Sequence, residues 1–167
     1  QLFLPTYLLY HCQASSFMGS PTVPMNAMPP SKARHNLLDM QRWADLWKVP
    51  FKFPNGHPRR SVHCMRTILA SGDAGVDVMH ALYKAYWVDE LDVAQPDVVG
   101  QALTDAGLNP EWSTKAVDQA IKDELRERTA EAVSHGVFGV PTCIVDGELF
   151  WGQDRMDFVE AALKAAA

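Results

Sequence analysis

The sequence predicts an α/β chain in which a long all-helical block interrupts one small sheet. Three observations predict it. Residues 2–10 are apolar and tyrosine-rich, which suits a strand despite Pro5. Residues 142–151 read as a β-hairpin, because Cys143-Ile144-Val145 and Leu149-Phe150-Trp151 flank the turn pair Asp146-Gly147. Most of the chain between residues 31 and 135 follows helical spacing. A hairpin alone is not stable in water, so residues 142–151 need a partner, and residues 2–10 are the strong candidate. Residues 1–18 and 131–167 then form the sheet-bearing portion, and residues 19–130 form a loop and helical insertion.

The elements follow in order. Gly19, Pro21, Pro24, Pro29 and Pro30 punctuate a loop. Ser31 is the expected N-cap of a helix running to about Trp47, with Leu37, Leu38, Trp43 and Leu46 near helical spacing. Val49-Pro50-Phe51-Lys52-Phe53-Pro54 is extended, since residues before proline avoid the α region. Asn55-Gly56-His57-Pro58 is a turn, and residues 61–71 are helical up to a break at Gly72. Residues 74–87 carry a strong helical pattern, with Val78, Met79, Leu82, Tyr83 and Tyr86 on the apolar face. Gln95-Pro96-Asp97 starts another helix, which Gly107 and Pro110 end. Residues 112–135 are helical with a split near residue 118, and Gly136 stops them. Asp154 sits where the N-cap of the last helix belongs.

A length of 167 residues allows one domain with a real core, and 47% hydrophobic with 21% charged residues is ordinary globular composition. A net charge of -5 gives no case for nucleic acid. No apolar run is long enough to span a membrane, and the opening Gln1-Leu2-Phe3-Leu4-Pro5 lacks the basic region and cleavage pattern of a signal peptide. Charge is uneven: residues 1–70 carry a net of +6 and residues 71–167 a net of -11. That split reads either as solvated faces of different sign or as a basic wall for an anionic small molecule, with Arg59 and Arg60 its best candidates. Cys12, Cys64 and Cys143 form no C-x-x-C and no metal spacing, so no redox dithiol and no metal site is expected. An odd cysteine count favours a reducing, cytoplasmic setting.

Pro141 precedes the first hairpin strand. A cis-proline there leaves the preceding main chain open to an extended peptide ligand, so a cis Val140–Pro141 bond is expected. Four motifs then carry a resemblance. They are Gly136-Val137-Phe138-Gly139-Val140-Pro141-Thr142; Phe150-Trp151-Gly152-Gln153-Asp154-Arg155 with Phe158; Val49-Pro50-Phe51 with Phe53-Pro54; and Gln41-Arg42-Trp43-Ala44. Together they resemble the 2-hydroxychromene-2-carboxylate isomerase family, a relative of kappa-class glutathione transferases and DsbA-like oxidoreductases. The match runs from about Pro21 to the end. The resemblance implies a thioredoxin-like sheet with a large all-helical insertion.

The resemblance also implies glutathione as cofactor. Val140 would offer its backbone to the cysteinyl part, Pro141 would hold that geometry, and Trp151, Gly152, Gln153 and Asp154 would cradle the γ-glutamyl end. A helix start favours a carboxylate, and Asp154 suits an ammonium. Without the resemblance, Asp154 is an N-cap and Trp151 a core residue. On the substrate side Asn26, Arg59 and Arg60 fall where the family meets a small anionic aromatic substrate; the plain alternatives are a turn residue and surface charge. The family begins with a strand and a helix carrying a Ser or Cys beside the glutathione sulfur. This sequence shows neither, so its catalytic residue stays unassigned, and Ser15 and Ser16 lack the spacing to replace it. The missing cover implies either a longer polypeptide or a homodimer.

Three functions follow. The first is a glutathione-dependent cis–trans isomerase of 2-hydroxychromene-2-carboxylate or a similar aromatic-degradation intermediate. The second is a kappa-type glutathione transferase. The third is a truncated, catalytically inactive glutathione-binding protein.

Overall fold

The computed structural model describes residues 28–166. The expected strand at residues 2–10, and with it Cys12, Ser15, Ser16 and Asn26, lies outside the described residues.

Helix α1 spans Pro30–Trp47. Its N-cap is Pro29 rather than the expected Ser31, which lies within the first turn. Proline at the first helical position has a fitting φ and lacks an N–H that would go unpaired there. Lys48 closes the helix in the left-handed region at φ 55°. Ala44 is its one buried residue, whereas Leu38, Trp43, Leu46 and Trp47 are largely exposed. The apolar spacing identified a helix correctly but did not say whether the helix docks.

Residues 48–61 run without regular structure, as the prolines require. The Lys52 N–H donates to the Trp87 carbonyl at 2.7 Å, and Phe51 and Phe53 lie against the Trp87 ring at 5.7 and 6.2 Å. Helix α2 is Val62–Ala70, followed by a 3-10 turn at Gly72–Ala74, where Gly72 takes φ 55°, and by α3 at Gly75–Trp87. Helix α4 is Pro96–Asp105, with proline again at its start and Gly107 at φ 72° beyond its end. The long helical pattern splits at the expected place: α5 is Glu111–Lys115, α6 is Gln119–Ser134, and Asp118 between them is extended.

Helices α2 to α5 enclose the main core. Cys64, Met65, Ile68, Val78, Leu82 and Leu103 are all at most 3% exposed. One polar stitch crosses it. Ser113 donates to the Pro96 carbonyl at 2.9 Å, and His63 Nε2 lies 2.9 Å from the same hydroxyl oxygen. The hydroxyl has one proton and spends it on the carbonyl, so His63 Nε2 is the donor. Burial, and then the nearby Arg66, push the His63 pKa below its usual value.

Gly136, at φ 80°, releases the chain from α6 into a loop. Strands β1 (Thr142–Val145) and β2 (Glu148–Trp151) pair antiparallel, with Thr142 opposite Trp151 and Val145 opposite Glu148. Asp146 and Gly147 both have positive φ, the geometry that a two-residue hairpin turn needs. A 3-10 turn at Gln153–Arg155 leads into α7 at Met156–Ala165. Cys143, Val145 and Val159 form a small second core with Phe150 and Ala162. Ala132 and Val140 form a third with Val137.

Candidate functional site

The site is built where the loop after α6 meets the end of β2. The Val140–Pro141 peptide is cis, as the sequence led one to expect. The Val140 side chain is turned inward against Ala132 and Val137 and is 7% exposed. Two bonds fix the chain on either side of it. Thr142 Oγ1 donates to the Gly139 carbonyl at 2.6 Å, and the Gly152 N–H donates to the Pro141 carbonyl at 2.9 Å. The Val140 N–H and C=O themselves take no partner among the described residues. An uncommitted N–H and C=O on one residue of a stitched loop have the chemistry to pair with an extended main chain.

Trp151 forms the wall beside it. Trp151 is 51% exposed, so it is not a core residue. Its ring leans on Phe138 at 5.2 Å. A Cβ on Gly139 would come within 2.6 Å of Trp151 Nε1, so the glycine is what lets the indole lie over the loop. The roles of Gly139 and Phe138 do not follow from their motif alone; the G-V-F-G spacing ahead of Val140-Pro141 is the signal in the sequence that marks them.

Gly152 follows at φ 112°, a conformation that side chains disfavour, and a Cβ there would stand 2.6 Å from Asp154 Oδ1. Gln153 and Asp154 are exposed in the 3-10 turn. Asp154 is not the expected N-cap. The turn moves the start of α7 to Met156, neither terminus has a side-chain cap, and Asp154 Oδ2 pairs instead with Arg155 Nη1 at 2.7 Å. Its carboxylate thus stays at the surface beside Gly152. The structure brings Val140, Pro141, Trp151, Gly152 and Asp154 into one patch.

The other predicted residues lie elsewhere. Arg59 Nε stands 3.7 Å from Asp92 Oδ1, and its Nη2 donates to the Asn55 carbonyl at 3.3 Å. Arg60 is exposed and has no hydrogen-bond or ion-pair partner among the described residues. Neither arginine bonds to the 139–155 patch. Beside them His57 Nδ1 lies 2.7 Å from the Tyr86 hydroxyl, with Phe53 and Trp87 rings 4.9 and 5.4 Å away. This nest was not read from the sequence, because 29 residues separate His57 from Tyr86.

Cys64 and Cys143 are both buried and free. Burial pushes the Cys64 thiol up to about 12 and also raises that of Cys143. Both are therefore thiols at neutral pH, with the thiolate needed for attack suppressed. No cluster able to hold a metal occurs among the described residues, and no described helix is long and apolar enough to cross a membrane.

An unpaired main-chain segment before a cis-proline, backed by a hairpin and a following helix, defines the peptide-facing side of a thioredoxin-type fold. A family model described as a DSBA-like thioredoxin domain matches residues 12–164, and the chain belongs to that family. Its architecture is the thioredoxin-like fold with a helical insertion. Among curated proteins it is 29% identical over 141 residues to a 2-hydroxychromene-2-carboxylate isomerase of Sphingobium xenophagum, covering 84% of this chain and 72% of that protein. It is 32% identical over 136 residues to one from Pseudomonas sp. (strain C18), covering 77% of this chain and 61% of the relative. It is 26% identical to rat glutathione S-transferase kappa 1, covering 80% and 66%. These matches make the chain a homologue of isomerase enzymes, although it spans only about two thirds of their length. A solved structure of a 2-hydroxychromene-2-carboxylate isomerase shares the fold, with TM-score 0.67 and 21% identity over 97% of this chain and 90% of that one.

Proposed function

We propose that this chain binds glutathione and serves as a glutathione-dependent cis–trans isomerase acting on 2-hydroxychromene-2-carboxylate or a similar anionic aromatic-degradation intermediate. The observation that carries the reading is the uncommitted N–H and C=O of Val140, held between the Thr142–Gly139 and Gly152–Pro141 bonds. Val140 would pair with the cysteinyl unit of the cofactor. Trp151 would shield it from water on one side. Gly152, Gln153 and Asp154 would receive the γ-glutamyl end, with the Asp154 carboxylate accepting from its ammonium.

Glutathione, when bound, supplies the thiol whose reversible addition to a conjugated carbon frees a double bond to rotate. The chain's own part is to hold the two partners in register, and positioning of that kind can account for much of a rate enhancement. Its buried cysteines are not required as nucleophiles. A thiol cofactor also accords with a reducing, cytoplasmic setting.

A second reading is conjugation, favoured by the kappa-class transferases among the relatives. Calorimetric titration with glutathione, paired with isomerisation of 2-hydroxychromene-2-carboxylate and conjugation of a halonitroaromatic, separates the readings. Binding with isomerisation supports the proposal. Conjugation alone supports the transferase. Binding with neither leaves a glutathione-binding protein without turnover, and no binding removes the site.

A further inference from the structure

We propose that Asp154 and Arg155 act together as a clamp for an α-amino acid head: Asp154 Oδ1 takes the ammonium, and the free edge of the Arg155 guanidinium takes the α-carboxylate. This rests on the glutathione reading above and adds a binding residue to it.

The turn that carries the pair is tied to the main chain beside Val140. The Gly152 N–H donates to the Pro141 carbonyl at 2.9 Å, and the Arg155 N–H donates back to the Gly152 carbonyl at 3.3 Å. Within the turn, Arg155 Nη1 donates to Asp154 Oδ2 at 2.7 Å and to the Asp154 carbonyl at 3.2 Å. Gly152 makes room for the carboxylate, since a Cβ there would lie 2.6 Å from Asp154 Oδ1. The two charges are therefore held in a fixed register over Gly152.

That internal pair uses one carboxylate oxygen and one guanidinium nitrogen. Asp154 Oδ1 and Arg155 Nε and Nη2 have no hydrogen-bond or ion-pair partner among the described residues. Both side chains are open to a ligand, Asp154 at 64% and Arg155 at 47% exposed. An exposed ion pair adds little to folding, so stability alone is a weak reason for it. What it presents is a negatively charged acceptor beside positively charged donors. A ligand with an ammonium and a carboxylate on one carbon completes a ring of four alternating charges, and neither protein group gives up its present bond. A plain amine or a plain acid meets one attractive and one repulsive charge instead. The γ-glutamyl unit carries both groups on its α-carbon.

The test titrates three peptides into the whole chain by calorimetry. They are glutathione; glutaryl-cysteinyl-glycine, which lacks the ammonium; and γ-aminobutyryl-cysteinyl-glycine, which lacks the α-carboxylate. The wild type should bind glutathione about tenfold or more tighter than either trimmed peptide. Arg155→Gln should weaken glutathione and the glutaryl peptide, and leave the aminobutyryl peptide no weaker. Asp154→Asn should weaken glutathione and the aminobutyryl peptide, and leave the glutaryl peptide no weaker. Arg155→Lys should recover part of what Arg155→Gln loses. If Arg155→Gln weakens the aminobutyryl peptide and spares the glutaryl one, the guanidinium only orients Asp154, and the clamp is overturned. Unchanged glutathione binding in Arg155→Gln overturns it as well. A wild type that binds all three peptides equally overturns the clamp and spares the glutathione site. A wild type that binds none of them overturns both.

Discussion

Gly139→Ala tests the wall of the proposed groove, because the sign of its effect depends on one neighbour. The new Cβ would lie 2.6 Å from Trp151 Nε1, 3.3 Å from Cε2 and 3.4 Å from Cδ1. Gly139 does not have positive φ, so alanine suits the backbone there. Alanine also restricts the unfolded chain, which by itself stabilises by about 0.4–1 kcal/mol. Against that, overpacking typically costs about 1–3 kcal/mol. The indole must swing outward, and its contact with Phe138, worth about 0.5–1.5 kcal/mol, is loosened. The net expectation is a destabilisation of about 1–2 kcal/mol in urea unfolding. Glutathione affinity should fall about tenfold, equivalent to about 1.4 kcal/mol, as the indole leaves the groove. In a Trp151→Ala background the obstacle is gone. The same substitution should then be neutral or stabilising by about 0.4–1 kcal/mol. A double-mutant cycle measures the difference directly. If Gly139→Ala costs the same with and without the indole, the close approach is not the reason for glycine there, and the account of the wall is wrong.

Asp154→Ala should weaken glutathione by about 1–3 kcal/mol, the range for a lost charge-assisted bond, while stability changes by less than about 1 kcal/mol because only an exposed ion pair is removed; an unchanged dissociation constant in the titration would remove Asp154 from the site. His63 has a folded pKa below its usual 6.5, so the unfolded chain takes up the proton first as pH falls. Its contribution to stability is complete above pH 6.5 and declines as pH drops from 6.5 toward the lowered folded value. His63→Gln should flatten that part of the stability–pH curve, and a curve of unchanged slope would refute the assignment. Leu82→Ala, at a fully buried position, should cost about 2–5 kcal/mol by urea denaturation with no change in glutathione affinity per folded molecule.

Local chemistry was legible in the sequence. Asp146-Gly147 marked the hairpin turn, and glycines 72, 107 and 136 marked real breaks with positive φ. The split near residue 118 is present, as is the cis bond before Pro141. The residues that the resemblance proposed for glutathione lie near one another in space because hairpin pairing sets Thr142 opposite Trp151 and the Gly152 N–H donates to the Pro141 carbonyl. Long-range events were not legible. The spacing of Leu38, Trp43 and Leu46 indicated an apolar face without showing that it stays exposed. Asp154 looked like a cap because the intervening 3-10 turn has no sequence signature of its own. Arg59 and Arg60 looked equivalent until Asp92 distinguished them, and the His63–Ser113 stitch spans 50 residues.

The separation of the three apolar clusters bears on how the molecule comes apart. Among the described residues the large one lies within residues 64–125 and shares no buried side chain with the small clusters at residues 132–140 and 143–162. Amide exchange in the hairpin and its helix is therefore expected to be faster than in the helical block. A molecule gripping both Val140 and the turn at Gln153–Arg155 would bridge two of these weak units, so its binding energy would appear mainly as slower amide exchange in residues 137–162.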